Sequence, residues 1–173
     1  MLQDCLIDKI DKHFPEENKV ILVSACLLGI DCTYNNQNHK NEYVLQLMKF
    51  RKLLPICPEQ LGGLPTPREP QVIVKGSGKD VLENKTQVIN QKQIDVTRNF
   101  LNGANETNKL VQLYKIKFAI MKEKSPSCGV SFIYNKTEKC EKLIEGNGVT
   151  TARLQESGLI IYSENDLKKI LQK

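Results

Sequence analysis

The sequence has no tryptophan, two histidines and only 6% aromatic residues, so its interior must be filled by Leu, Ile and Val. It has no apolar run near the roughly 20 residues that cross a bilayer. Its first fifteen residues carry charges throughout (Asp4, Asp8, Lys9, Asp11, Lys12), unlike the apolar core of a secretory signal. These absences lead us to expect a cytoplasmic protein. Also missing is a dense Lys/Arg block with interleaved aromatics. The net charge of +5 is spread along the chain, and nothing marks a nucleic-acid surface. No repeat, low-complexity stretch or linker divides the sequence. At 173 residues, 40% apolar and 26% charged, it fits one domain with a full core and lies outside the composition of disordered chains. Residues 1–173 are expected to form that single domain.

What is present is an alternation of short aliphatic runs and amphipathic segments. Lys19-Val-Ile-Leu-Val-Ser24 is apolar on both faces, the mark of a strand buried in a parallel sheet. Leu53-Leu-Pro-Ile-Cys57 reads as a second core strand, with Pro55 placing it at an edge. Lys117-Phe-Ala-Ile-Met121 and Leu159-Ile-Ile-Tyr162 are the third and fourth. Between them, helices are expected over 42–50, over 96–114 behind an Asp95 cap with Gly103 as a weak point, and over 148–157 with Gly158 closing it. Ser163 with Asp166 opens a terminal helix. Val72-Ile-Val74 and residues 85–89 are expected to pair as a hairpin around Gly76-Ser-Gly78, after a Gly/Pro-rich ordered loop over 61–70. Strands separated by helices predict an α/β fold, a single-domain, doubly wound, Rossmann-like and mostly parallel sheet with helices on both faces.

In such sheets ligands bind beyond the carboxyl ends of the strands. Three successive core strands here run into cysteine loops: Cys26, Cys57 and Cys128. In a reducing compartment cysteines near Gly and Pro more often bind metal or do chemistry than pair. A lone buried cysteine is usually a small hydrophobe, but three at three strand ends form a pattern. Thiolates bind zinc or iron clusters. No Cys-x-x-Cys pair exists, which counts against zinc. A cluster held by three thiolates would keep one iron open as a soft Lewis acid. Cys5 and Cys140 lie away from these loops and read as structural or incidental. A persulfide carried on Cys32 or Cys128, or a cluster- or zinc-stabilised module that binds a nucleotide or RNA, are the alternatives.

Two groups beside the thiols could move protons. Glu59 follows Cys57 by two residues, and Ser125 precedes Cys128 by three. A carboxylate tuned by burial can act as acid or base. The plainer roles are a helix-start ion pair for Glu59 and a turn or cap hydroxyl for Ser125. Arg68, in the stiff segment Pro65-Thr-Pro-Arg-Glu-Pro70, could clamp an anion or carbonyl, or pair with Glu69 or another carboxylate.

Taken together, Ser24-Ala-Cys-Leu-Leu-Gly29, Cys32-Thr-Tyr34, the run from Cys57 to Arg68 and Lys124-Ser-Pro-Ser-Cys-Gly129 resemble a bacterial family. It was long carried as a domain of unknown function, and its characterised member is a thiouracil desulfurase. Asp95-Val-Thr97 and residues 146–151 also resemble family positions, so the likeness covers nearly the whole chain. One departure is Tyr34-Asn-Asn36, where family members often have Tyr-Asp-Gly. The resemblance implies a [4Fe-4S] cluster on Cys26, Cys57 and Cys128, with one iron not ligated by protein. It implies Glu59 and Ser125 as catalytic residues and Arg68, Ser127 and Tyr34 as substrate contacts. The implied partner is a small-molecule thiolated base, whose C=S sulfur is lost as hydrogen sulfide without redox change. Cys32 could replace Cys26 as ligand or hold a mobile sulfur; Cys26 is favoured because it stands directly at a strand end.

Overall fold

Aliphatic runs and amphipathic segments alternate in the structure as they do in the sequence. The computed structural model describes residues 2–17, 20–136 and 141–172. Its elements are α1 (Leu2–His13), β1 (Val20–Ser24), α2 (Glu42–Leu47), β2 (Lys52–Ile56), α3 (Pro58–Leu61), β3 (Gln71–Ile73), α4 (Gly78–Leu82) and β4 (Val88–Asn90). They continue with α5 (Thr97–Tyr114), β5 (Phe118–Met121), β6 (Phe132–Lys136), β7 (Glu141–Glu145), α6 (Val149–Glu156), β8 (Ile160–Ser163) and α7 (Glu164–Gln172).

The predicted core strands form one parallel sheet in the order β2-β1-β5-β8. Ile21, Leu22 and Val23 of β1 are fully buried, because both faces of the sheet are covered. On one face Ile21, Val23 and Ile120 pack with Ile10 of α1, Phe14 just after it, Val44 and Leu47 of α2 and Leu167 of α7. On the other, Leu22, Ala119 and Met121 pack with Val111 of α5 and Leu154 of α6. Pro55 lies on β2, at the sheet edge, where its missing N–H costs no ladder bond.

Helix α1 was not expected: charges surround Leu6, Ile10 and Phe14, which recur at four-residue intervals and pack on the core. Ser163 caps α7 as expected: its hydroxyl donates to Asp166 at 2.7 Å and accepts from the Asp166 N–H at 3.2 Å. Asp95 stands one residue before the cap position, held by Val96, and its carboxylate accepts the Thr97 N–H at 2.8 Å.

A second sheet lies beside the parallel one. Its order is β4-β3-β6-β7, with β3 and β6 parallel and the other pairs antiparallel. The pairing of Val72 with Ile89 and Ile73 with Val88 is as expected. The link is not a tight turn at Gly76-Ser-Gly78, because Ser77 and Asp80 form a reciprocal cap that starts α4 there. Strands β6 and β7 were missed; β6 has an exposed Phe132 and Tyr134 alternating with a buried Ile133 and Asn135. Helices α5 and α6 pack against this sheet too, through Phe100, Ala104 and Val149 beside Ile73 and Ile133.

Gly103 is a contact point rather than a weak one. A Cβ built there would stand 1.9 Å from the Pro58 carbonyl oxygen, so α5 and the short α3 touch backbone to backbone. Gly103→Ala is expected to destabilise the fold by about 1–3 kcal/mol, the usual cost of overpacking. The better helix propensity of Ala, worth at most about 1 kcal/mol, does not offset it. Thermal unfolding of the metal-free protein measures this, and an unchanged Tm would contradict the close approach.

Candidate functional site

Strand order reverses between β1 and β5, with β2 on one side of β1 and β5 on the other. A crevice opens at the carboxyl ends of strands at such a point. A cavity of about 440 Å³ occupies it, lined by Cys26, Cys32, Cys57, Cys128, Glu59, Arg68, Tyr34 and Ser125 among others. Every predicted site residue except Ser127 is therefore on its wall.

Each thiol is placed by a different local device. Cys26 sits in the 3-10 turn Ala25–Leu28 directly after β1. Cys57 is the cap residue ahead of α3, whose first position is Pro58, a residue preset for a helix start. Cys128 lies in the loop after β5. There the Ser125 hydroxyl oxygen accepts the N–H groups of Ser127 at 3.2 Å and Cys128 at 3.1 Å. Helix α6 supports that loop from behind: the Thr151 hydroxyl donates to the Cys128 carbonyl at 2.8 Å. Gly148 makes this possible, since a Cβ there would lie 2.4 Å from the Ser127 carbonyl group. Ser127 is buried and its hydroxyl pairs with that of Thr150 at 3.0 Å, which explains why it is absent from the cavity wall.

No disulfide joins Cys26, Cys32, Cys57 and Cys128. Among the described residues no three His, Cys, Asp or Glu side chains are gathered to hold a single metal ion; the four thiols share the wall of a wider space. Crowding and burial hold Cys32, Cys57 and Cys128 protonated when no cation is near. A hydrogen bond with Cys26, then burial, pushes Cys32 up to about 11, although its hydrogen bond with Cys57 and the charge of Arg68 pull the other way. Burial first, then the neighbouring Cys57 and Glu59, push Cys128 up to about 12. Cys57 is raised by its hydrogen bond with Cys32 and by burial. A persulfide carrier needs a depressed thiol, so these values disfavour that alternative. A cationic iron centre inverts the balance by stabilising the thiolates. Four soft donors in a roomy pocket fit an iron–sulfur cluster.

Glu59 lies in the first turn of α3, next to Cys57, with its side chain 12% exposed. Burial raises its pKa, while the Arg68 guanidinium beside it opposes the rise. The Arg68 Nε donates to Glu59 Oε2 at 2.6 Å. Its remaining nitrogens donate to the carbonyls of Cys32 at 3.0 Å and Pro65 at 3.2 Å and to the Thr66 hydroxyl at 3.0 Å. Arg68 is thus the ion-pair partner of Glu59 rather than a free clamp, and the pair is buried instead of superficial. Glu69 pairs with Lys92. Arg68→Met removes the cation that opposes burial, so the carboxyl is held protonated to higher pH. The Glu59 carboxyl is expected to titrate at higher pH in that variant, read from its infrared carboxyl band; an unmoved titration would disconnect Arg68 from Glu59.

Tyr34 is 46% exposed at the cavity mouth, and its carbonyl accepts the Arg68 N–H at 2.8 Å. Sequence reasoning missed Glu123, which also lines the cavity. Its buried carboxylate accepts the N–H groups of Lys124, Val130, Ser131 and Phe132 at 2.9–3.2 Å, tying the Cys128 loop into a closed bow. Nothing in Lys122-Glu-Lys124 distinguishes that buried acid from a solvated one. Cys5 lies on α1, and Cys140 falls outside the described residues. Among the described residues no helix is long and apolar enough to cross a membrane.

Comparison with known proteins agrees with this fold. The chain is 43% identical over 152 residues, 88% of its length, to the whole of the uncharacterised protein YbbK of Bacillus subtilis. Its structure superposes on that of the [4Fe-4S]-dependent thiouracil desulfidase TudS with a TM-score of 0.74 and 35% identity. That match covers 89% of this chain and 96% of TudS. Residues 21–166, which contain every strand-end cysteine, Glu59 and Ser125, match the model of the 2-thiouracil desulfurase family, and the chain belongs to that family.

Proposed function

We propose that the protein is an iron–sulfur-dependent desulfidase. It would convert a thiolated nucleobase of the 2-thiouracil type and water into the oxygenated base and hydrogen sulfide. The observation that carries this is the gathering of four thiols and a buried Glu59–Arg68 pair around one cavity at the switch point. The family and the TudS likeness support the same chemistry.

Cys26, Cys57 and Cys128 would hold a [4Fe-4S] cluster, each fixed at the end of a core strand. When bound, the cluster supplies a soft Lewis-acid iron, not ligated by these three, that takes sulfur in preference to oxygen. The protein supplies the rest. Glu59 accepts a proton from the water that attacks the thiocarbonyl carbon and returns it to the departing sulfur. Its raised pKa brings the carboxyl closer to neutral pH, where a group can both take and give a proton. Arg68 fixes which carboxylate oxygen faces the cavity by occupying the other. The Ser125 hydroxyl, accepting two backbone N–H groups, directs its own proton into the pocket as a donor to substrate or water. Tyr34 stands at the mouth, where a planar base can rest against its ring.

Oxygen enters from water, sulfur leaves as sulfide and no electrons are exchanged. The test is anaerobic cluster reconstitution, followed by simultaneous assay of sulfide and oxygenated base over a panel of thiolated bases. Equal yields of both products are expected for at least one. A fully loaded protein that releases no sulfide from any member of the panel would refute the reading.

A further inference from the structure

We propose that Lys122 reads the substrate, its ammonium donating to a carbonyl oxygen that the base carries one ring nitrogen away from the thiocarbonyl carbon. This rests on the desulfidase function above and narrows its substrates to thiolated imides, rings in which a single N–H separates the thiocarbonyl from a carbonyl, as in 2-thiouracil.

Lys122 differs from the other ion-paired lysines of the chain. The side chains of Lys79, Lys85, Lys92, Lys109 and Lys169 are 66–72% exposed, as suits a flexible, strongly hydrated ammonium. That of Lys122 is 20% exposed, and that of its partner Glu164 is 11%. Fixing a lysine out of water costs both hydration and rotamer freedom. Its Nζ donates to Glu164 Oε1 at 2.8 Å and to the Glu123 carbonyl at 2.9 Å. An ammonium has three donors, so one remains, and the residue lines the cavity. The two carboxylates of that wall are engaged elsewhere, Glu59 with Arg68 and Glu123 with backbone N–H groups.

The surroundings of Lys122 hold it at the carboxyl end of β5. Its own N–H donates at 3.0 Å to the hydroxyl of Ser24, the last residue of β1. Glu164 opens α7, where a helix N-terminus favours a carboxylate, and its second oxygen accepts the Glu123 N–H at 2.8 Å. The charge of Lys122 is felt inside the cavity. Partial burial and then that charge lower the pKa of His39, another residue of the wall. Arg68 has less to offer, with four of its five N–H groups engaged, and Lys124 is exposed.

Strand β1 lies between β2 and β5. Glu59, after β2, and Lys122, after β5, therefore flank the Cys26 turn, two strand spacings or about 10 Å apart along the sheet. A flat base between them has its thiocarbonyl carbon beside Glu59 and its carbonyl oxygen toward Lys122. The ammonium holds that oxygen and draws electron density from the ring, which opens the thiocarbonyl carbon to water. A ring without the carbonyl leaves the donor desolvated and unanswered, which is costly.

The test uses the full-length protein, reconstituted without oxygen, and two ligands that share the sulfur: 2-thiouracil, and pyrimidine-2-thione, which lacks the carbonyl. Each is titrated while the cluster spectrum is followed, and KM and kcat are measured for 2-thiouracil. Wild type is expected to bind 2-thiouracil at least about tenfold more tightly than pyrimidine-2-thione, the lower end for a hydrogen bond to a charged group. Lys122→Met keeps the stem and loses the donor. It should weaken 2-thiouracil by about 10–100-fold and pyrimidine-2-thione by less than about twofold, with the loss for 2-thiouracil falling mainly on KM. That variant leaves the Glu164 carboxylate buried without its cation, so Lys122→Met/Glu164→Gln is measured beside it and should lose the same preference. Equal weakening of both ligands would make Lys122 a structural part of the Glu164 network and overturn the proposal. An unchanged preference in Lys122→Met, or a wild type that binds both ligands alike, would overturn it as well. None of these results touches the desulfidase function, which sulfide release from 2-thiouracil by the wild type reports separately.

Discussion

Cys57→Ala, reconstituted without oxygen, is expected to retain no four-iron cluster and to release no sulfide from 2-thiouracil. Cys57 caps α3 at the end of the edge strand β2, and no residue of that helix offers a replacement thiolate. Cys26→Ala and Cys128→Ala should behave alike, whereas Cys5→Ala and Cys140→Ala should load as wild type does. The measurements are iron and labile sulfide per chain. Truncating a half-buried thiol also costs packing, so Cys57→Ser is the informative partner. It keeps the volume and should leave the Tm of the metal-free protein unchanged while losing the cluster. A Cys57→Ser protein with a full complement of iron would remove Cys57 from the ligand set. A Cys26→Ala protein that kept its cluster through Cys32 would exchange the roles of those two residues.

Glu59→Gln should load its cluster normally and lose sulfide release by about 10²–10⁴-fold, the usual range for a missing acid–base group. Gln keeps the volume and can still accept from Arg68, so the Cys32 and Pro65 contacts of that arginine survive. What disappears is the proton that moves. Turnover under saturating 2-thiouracil, normalised to iron content, is the measurement. A loaded Glu59→Gln enzyme with turnover near wild type would transfer the proton work to Ser125. Ser125→Ala is then the control. It also removes the acceptor for the Ser127 and Cys128 N–H groups, so any loss of iron in that variant reports on the loop rather than on proton transfer.

The parallel sheet was legible because β1 and β5 are short runs buried on both faces, a pattern that few other structures produce. The cysteine site followed from it, since strand ends in a parallel sheet converge wherever their loops lead. The second sheet was not legible. Its strands are three to five residues long, and Phe132 and Tyr134 face outward, so no run of apolar residues announces them. The Gly76-Ser-Gly78 segment misled for a physical reason: glycine suits a turn, but Ser77 and Asp80 at cap spacing suit a helix start, and the cap prevailed. Gly103 shows the same limit. Propensity marks it as a flaw in α5, and only the nearness of Pro58 explains it. Within the site, Arg68 was recognised as important but not as the partner of Glu59, because the nine residues between them fold back on themselves through a proline-rich loop.

The two sheets contribute unequally to the cavity wall. The thiols and Glu59 all follow strands of the parallel sheet, whereas Gln71 of β3 and Tyr134 of β6 reach the cavity from the mixed one. Reactivity and guest shape are thereby written into separate pieces of chain. Changes at positions 71 and 134 can reshape the chamber for a bulkier or smaller ring without touching a single atom that handles sulfur or protons. A library confined to those two positions would search for new thiolated guests on an unaltered reactor, and an ancestral chain could have drifted from one guest to another by the same route.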